Sequence, residues 1–293
     1  MSARVKKGLF FTIAASVLFG ISPIITAWAS ESIGDAMSVV FWVHLVHWSA
    51  NMLLCRIRKY KIRLSQVSRQ APPLMALGVI GIGCTSYLLT TSYSLIGTGI
   101  STMIHFAYPA VVAILAALLR QEPFSARKGT ALIFSCVGIC LLTELSLVNA
   151  DPLRYIPAFL SAFTYALYLT ANGSRRMNQL PGPVKCAVMS AGICIFFGLV
   201  LLLRGGISAP SDIKGWICVL LAGLQAAAGY NGLVYGIRQI GPSQAAFATL
   251  LEPCTSMVID ILVTGAGITL SKLAGCCSIL IAVYLNSRNG KES

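Results

Sequence analysis

Glu252 stands immediately before Pro253 inside an apolar run, about nine residues into it. Proline removes a backbone donor and frees a carbonyl in the preceding turn. An ionisable group at mid-membrane depth is expensive unless it meets a partner or a water-filled cavity. This carboxylate could bind a cationic group of a solute or carry a coupling proton. It could equally make a structural hydrogen bond to a neighbouring helix. His105 stands one turn before Tyr108-Pro109, and Ser101, His105 and Tyr108 share a helical face. Imidazole titrates near neutral pH, so His105 is a proton-relay candidate. Asp260 follows Glu252 at i+8 on the same face and reads as a residue at a water-exposed mouth. Glu144 reads as interfacial.

Uncharged polar residues recur at helical spacing. Tyr87, Thr90, Thr91 and Ser94 make one stripe; Gln225 and Asn231 stand with Tyr230 and Tyr235; Tyr165 and Tyr168 make a third group. These could line an aromatic, polar, mostly uncharged cavity, or serve ordinary inter-helix bonding. The candidate substrate-binding set is therefore Glu252, His105, Tyr87, Tyr108, Tyr165, Gln225 and Asn231. His44, His47 and Asn51 form a further stripe, but no third metal ligand is evident. Packing is the favoured reading there, as it is for Gly229, Gly232 and Gly236. No phosphate-binding G-x-x-x-x-G-K-[ST] loop, H-E-x-x-H or G-x-S-x-G motif occurs. The ten cysteines form no C-x-x-C pair and lie almost entirely in apolar runs. No catalytic residue, metal site or cofactor is expected.

The composition says what must position these groups. The chain has 293 residues, 56% hydrophobic and only 11% charged. A soluble domain carries about 25% charged residues, so an ordinary soluble enzyme and a disordered chain are both excluded. A membrane-crossing helix needs roughly 20 apolar residues. Ten spans are read at about 8–28, 37–55, 73–95, 98–119, 128–147, 154–172, 184–203, 213–237, 244–264 and 269–287. Pro and Gly punctuate the gaps, among them Pro72-Pro73, Gly97, Pro152 and Gly241-Pro242. The gap between spans three and four is so short that a kinked re-entrant pair is an alternative.

Charge placement orients the spans. With the N-terminus inside, 18 of the 22 basic residues fall in inside segments. Arg154, Arg204, Lys214 and Lys272 alone fall outside. Positive residues bias short loops to the cytoplasm, so both termini are expected there, in the inner or plasma membrane of a bacterial cell. The same clustering explains the net charge of +13 without a nucleic-acid partner. Arg4, Lys6 and Lys7 before an apolar run mimic a signal peptide, but the run is long, and a retained first helix is expected.

An odd number of spans per half makes the second half enter the membrane inverted. A shift of 144 residues brings Gly97 onto Gly241, Pro109 onto Pro253, Leu118 onto Leu262, Lys128 onto Lys272 and Leu141 onto Leu285. The fold expected is an all-α integral membrane protein of two inverted five-helix repeats, residues 1–147 and 154–293.

Four stretches resemble one family. Ala14-Ala15-Ser16-Val17-Leu18-Phe19-Gly20-Ile21-Ser22-Pro23 is similar to a first helix of the EamA type in the drug/metabolite transporter superfamily. Ala162-Phe163-Thr164-Tyr165-Ala166-Leu167-Tyr168 resembles the first helix of its second repeat. The run from Pro109 to Gln121-Glu122 resembles the end of its fourth helix, which usually closes on Gly-Glu. Leu251-Glu252-Pro253 resembles its ninth. Gln121 departs from that pattern, and Gly265-Ala266 stands where a second Gly-Glu would be. The resemblance implies a ten-helix carrier of small organic solutes, such as amino-acid-like metabolites or drugs, often an exporter. The partners expected are a small-molecule substrate and the lipid bilayer; a homodimer is compatible. An importer or uniporter of the same fold is the alternative. An intramembrane enzyme and a non-transporting scaffold are the readings from other classes. An enzyme would want clustered acids or histidines, and here they are scattered.

Overall fold

A computed structural model describes residues 3–60, 64–119, 121–142, 151–264 and 269–287. Among these residues every regular element is helical. In a bilayer, backbone groups must pair within their own segment, and a helix does this. The first half contains α1 (Ala3–Ile33), α2 (Ala36–Ile57), α3 (Leu64–Leu77), α4 (Cys84–Ile96), α5 (Thr98–His105), α6 (Tyr108–Leu118) and α7 (Ala126–Leu142). A π-helical stretch, Gly78–Gly83, joins α3 to α4 without a break. The second half contains α8 (Ile156–Gly173), α9 (Gly182–Leu203), α10 (Ile213–Ile240), α11 (Pro242–Ala248), α12 (Leu251–Thr264) and α13 (Leu270–Ser287).

The described residues within the expected spans are largely helical. Seven stretches are long and apolar enough to cross a membrane on those grounds: Ala3–Ile33, Ala36–Ile57, Ser65–Ile96, Thr98–Leu118, Gly182–Leu203, Ile213–Ile240 and Pro242–Val263. The chain is thus a multi-pass membrane protein, with seven such helices rather than ten established by length and composition. α7, α8 and α13 fall outside that set. The last residues of expected span five, including Glu144, lie outside the described residues. Gly265-Ala266 and the side chain of Asp260 do so too. Leu118, Leu203, Leu262 and Leu270 are all more than 70% exposed. Apolar surface of that kind suits lipid rather than water.

Local chemistry sets the ends. Asp35 caps α2 by accepting the Ser38 amide at 2.8 Å, and Asp212 caps α10 by accepting the Gly215 amide at 2.9 Å. α4 and α5 are joined by Gly97 alone and pack on each other, so the chain reverses there. The expected close approach along α10 is present: a Cβ on Gly229 would lie 2.6 Å from the Phe19 ring, and one on Gly236 would collide with Thr12.

Packing pairs the two halves reciprocally. α1 lies on α10 while α8 lies on α4. α1 meets α12 while α8 meets α6, and α2 meets α10 while α9 meets α3. The pairs α2–α9 and α7–α13 each join corresponding elements directly. Every contact in this group is the counterpart of another, or of itself, when the halves are exchanged.

Candidate functional site

Two helical rods are broken at the centre of the molecule. α5 ends at His105 and α6 begins at Tyr108; α11 ends at Ala248 and α12 begins at Leu251. Each break is followed at once by a proline, Pro109 or Pro253, which has no amide to donate. The residue shift of 144 places Tyr108 on Glu252 and His105 on Thr249. The two breaks face each other: the Tyr108 hydroxyl and Thr249 Oγ1 are 2.7 Å apart, both buried.

From this contact a continuous chain of rings crosses the bundle. The His105 ring lies 5.3 Å from both Tyr108 and Tyr165, and Tyr108 meets Tyr165 edge-on at 4.8 Å. Tyr165 stacks on Tyr168 at 5.9 Å, and Tyr168 meets Tyr230 edge-on at 5.8 Å. Tyr230 stacks on His47 at 5.5 Å. His47 and His44 bring their Nδ1 atoms to 3.2 Å. His105 Nδ1 pairs with Ser161 Oγ at 3.0 Å, which orients the ring. Glu252 is half-buried beside this array, within electrostatic reach of Tyr93, Tyr108, Tyr165 and Tyr230. It makes no ion pair among the described residues. A carboxylate beside phenol rings, with no cation partner among the described residues, is suited to receive a cationic group or a proton.

Two cavities flank α1. One of about 80 Å³ lies between α1, α2, α4 and α10, lined by Phe19, Ser22, His44, Thr90, Gln225 and Tyr230. A larger one, about 270 Å³, lies between α1, α5, α7, α12 and α13. Pro253, the neighbour of Glu252, lines it with Gly20, Thr102, Phe106, Ser256 and Lys272. On the wall of the first cavity the buried Gln225 Oε1 lacks a partner among the described residues. Leaving such an atom unpaired is expensive, so it favours a site that takes polar occupants.

The structure brings Glu252, His105, Tyr108 and Tyr165 into one cluster. Gln225 stands apart from them at the smaller cavity, where its Nε2 donates to the Leu18 carbonyl at 2.6 Å. Asn231 faces the opposite end of α10, donating to Asn51 Oδ1 at 2.6 Å and lining a third cavity with Arg58 and Arg238. Tyr87 packs on Phe197, with ring centres 6.2 Å apart, and lines neither cavity beside α1. His44 and His47, read as packing, do pack, yet His44 also reaches cavity wall. Sequence reasoning passed over Thr249 and Ser161; the first is the repeat counterpart of His105, so the 144-residue shift contained the signal.

Polar ties join segments at one end of the bundle. Arg238 donates to Asn178 Oδ1 at 3.0 Å and to the Leu180 carbonyl at 2.6 Å, and Lys185 donates to the same Asn178 oxygen at 2.9 Å. Glu122 pairs with Lys128 at 2.8 Å and accepts the Ser243 amide at 3.2 Å. Arg4 donates to Gln239 Oε1 at 2.6 Å.

Comparison with known proteins places this geometry. The EamA-like transporter family matches residues 6–144 and again 153–288. An uncharacterized transporter of Archaeoglobus fulgidus is 22% identical over 217 residues, covering 74% of this chain and 78% of that protein. The uncharacterized transporter YyaM of Bacillus subtilis is 24% identical over 247 residues, covering 82% and 80%. One solved crystal structure superposes with a TM-score of 0.82 at 14% identity, covering 98% of this chain and 99% of that one, a likeness of fold.

Proposed function

The chain belongs to the EamA-like transporter family, and from that premise we propose that it is a secondary carrier of a small organic solute. The solute is an amino-acid-like metabolite or a drug, and it moves by alternating access. The direction is export, and protons are coupled through Glu252, with His105 as a relay. In this reading ten spans form two inverted five-helix repeats in the cell membrane, with both termini cytoplasmic. The reciprocal packing of the two halves supports the repeat. Domain-sized rocking of one repeat against the other is how such folds alternate access.

One observation carries the reading. Glu252, unpaired and half-buried, sits where the broken rods of the two halves meet, among Tyr108, Tyr165 and Tyr230. The preceding residue pair of a broken helix and a neighbouring cavity make a place where a solute meets both halves at once. The closed polar ties at one end and the cavities flanking α1 fit a carrier with that end shut.

The test is saturable flux. Purified protein in proteoliposomes is loaded with amino acids, nucleosides, sugars or cationic drugs, and counterflow is measured for each class. Protein-dependent, saturable exchange of one class supports the carrier. Fluxes equal to those of empty liposomes for every class refute it and favour a scaffold.

A further inference from the structure

Lys128 and Lys272 occupy the same position in the two halves, 144 residues apart. Lys128 is 5% exposed, and its ammonium is paired: it donates to Glu122 Oε2 at 2.8 Å and to the Pro123 carbonyl at 2.9 Å. The same shift carries Glu122 onto Ala266 and Pro123 onto Gly267. The second half therefore keeps the lysine and lacks its acid. Among the described residues, no hydrogen bond or ion pair engages the Lys272 ammonium.

Lys272 is half-buried and forms part of the wall of the cavity of about 270 Å³. Among the described residues, no Asp or Glu lines that cavity. Two of its hydroxyl protons are already used: Ser256 donates to the Gly20 carbonyl at 2.7 Å, and Thr102 donates to the Thr98 carbonyl. Thr98 and Gly99 open α5 on the same wall. The first amide of that helix bonded within it belongs to Ser101, at 3.2 Å from the Gly97 carbonyl. The unpaired amides before it add positive potential of the same sign. This cation has no counterion among the described residues, and beside a cavity walled largely by apolar residues it acts at reduced dielectric, where its pull on an anion is stronger than in water. The volume is about nine times the share of a water molecule in the liquid, which is room for a solute of amino-acid size.

We propose that Lys272 is the docking point for an anionic group, a carboxylate or phosphate, on the solute that this carrier moves. The assignment rests on the carrier reading and narrows its substrate class. Pro253 lines the same cavity and Glu252 adjoins it. A solute bearing a carboxylate and an ammonium thus finds an opposite charge for each on neighbouring segments. The family relationship alone does not point to a charged solute; the mismatch between the halves does.

The experiment uses the full-length protein in detergent and in proteoliposomes. Thermal shift is read with amino acids, with their uncharged-carboxyl amides, and with inorganic phosphate, for wild type, Lys272→Gln and Lys272→Arg. The expected result is stabilisation by the free carboxylates or by phosphate and not by the amides. Whichever of the two stabilises names the anion. Lys272→Gln is expected to weaken that binding at least tenfold and to slow counterflow of the same solute, while Lys272→Arg retains most of both. Melting temperatures without ligand should agree among the three, because the side chain holds no internal bond. Equal response to acids and amides overturns the assignment and leaves the carrier intact. So does unchanged affinity in Lys272→Gln. A wild type that neither binds nor moves any solute class overturns the carrier reading, and this assignment with it.

Discussion

Gly97 and Gly241 hold the same unusual backbone, φ/ψ of 79°/158° and 83°/165°, at equivalent points of the two halves. Each is the single residue between one helix and the next, and each leads directly into a rod that breaks eight to eleven residues later. This region of backbone space is essentially closed to residues with a side chain. The conformation is what lets α4 turn into α5 and α10 into α11 without a loop.

Replacing either glycine by alanine is therefore expected to destabilise the protein by about 1–3 kcal/mol. At Gly241 the added carbon would also collide with Glu122 Oε1. Gly99→Ala is the control: it lies inside α5 with open space around it, and alanine there is neutral or stabilising. Thermal melts of the three variants in one detergent check this. A Gly97→Ala protein as stable as wild type would refute the backbone argument.

Tyr108 and Thr249 join the broken rods of the two halves through a buried hydrogen bond of 2.7 Å. A double-mutant cycle with Tyr108→Phe and Thr249→Val is expected to give a coupling of about 1 kcal/mol. Additive losses would mean that the contact contributes nothing between the halves.

The helices were readable because bilayer chemistry demands long apolar runs, and the breaks were readable because Pro109, Pro253, Gly97 and Gly241 each forbid a regular backbone. The clustering of Glu252, His105, Tyr108 and Tyr165 followed in part from helical spacing. Which helices are neighbours does not follow from spacing. Periodicity puts Tyr87, Gln225 and Asn231 on polar stripes, but only packing decides that Tyr87 meets Phe197 and that Asn231 faces Asn51. Thr249 was hidden for a different reason: a lone threonine in an apolar run has no signal until its repeat partner, His105, is recognised. The same holds for Lys272, whose meaning comes from the acid that Lys128 has and it lacks.

Asp212 links the end of α1 to the start of α10. Hydrogen bonds from the Ser32 hydroxyl at 2.6 Å and the Gly215 amide at 2.9 Å hold its carboxyl below the usual carboxylate range. A folded-state pKa below the unfolded one contributes stability above the unfolded value, and that stability is lost as pH falls through the folded value. Acidification below about pH 4 should thus lower the melting temperature of wild type more than that of Asp212→Asn. Parallel pH profiles for the two proteins would remove Asp212 from the acid response.

The central claim is that Glu252 is the coupling carboxylate of a carrier, and solute flux under an imposed pH gradient tests it most directly. The solute is the class identified by counterflow, and wild type is compared with Glu252→Gln in matched proteoliposomes. Wild type is expected to accumulate solute against its gradient when protons flow the other way. Glu252→Gln, with an unchanged melting temperature, should lose that accumulation by at least tenfold. Full gradient-driven transport by Glu252→Gln, or wild-type flux indifferent to the pH gradient, would contradict it.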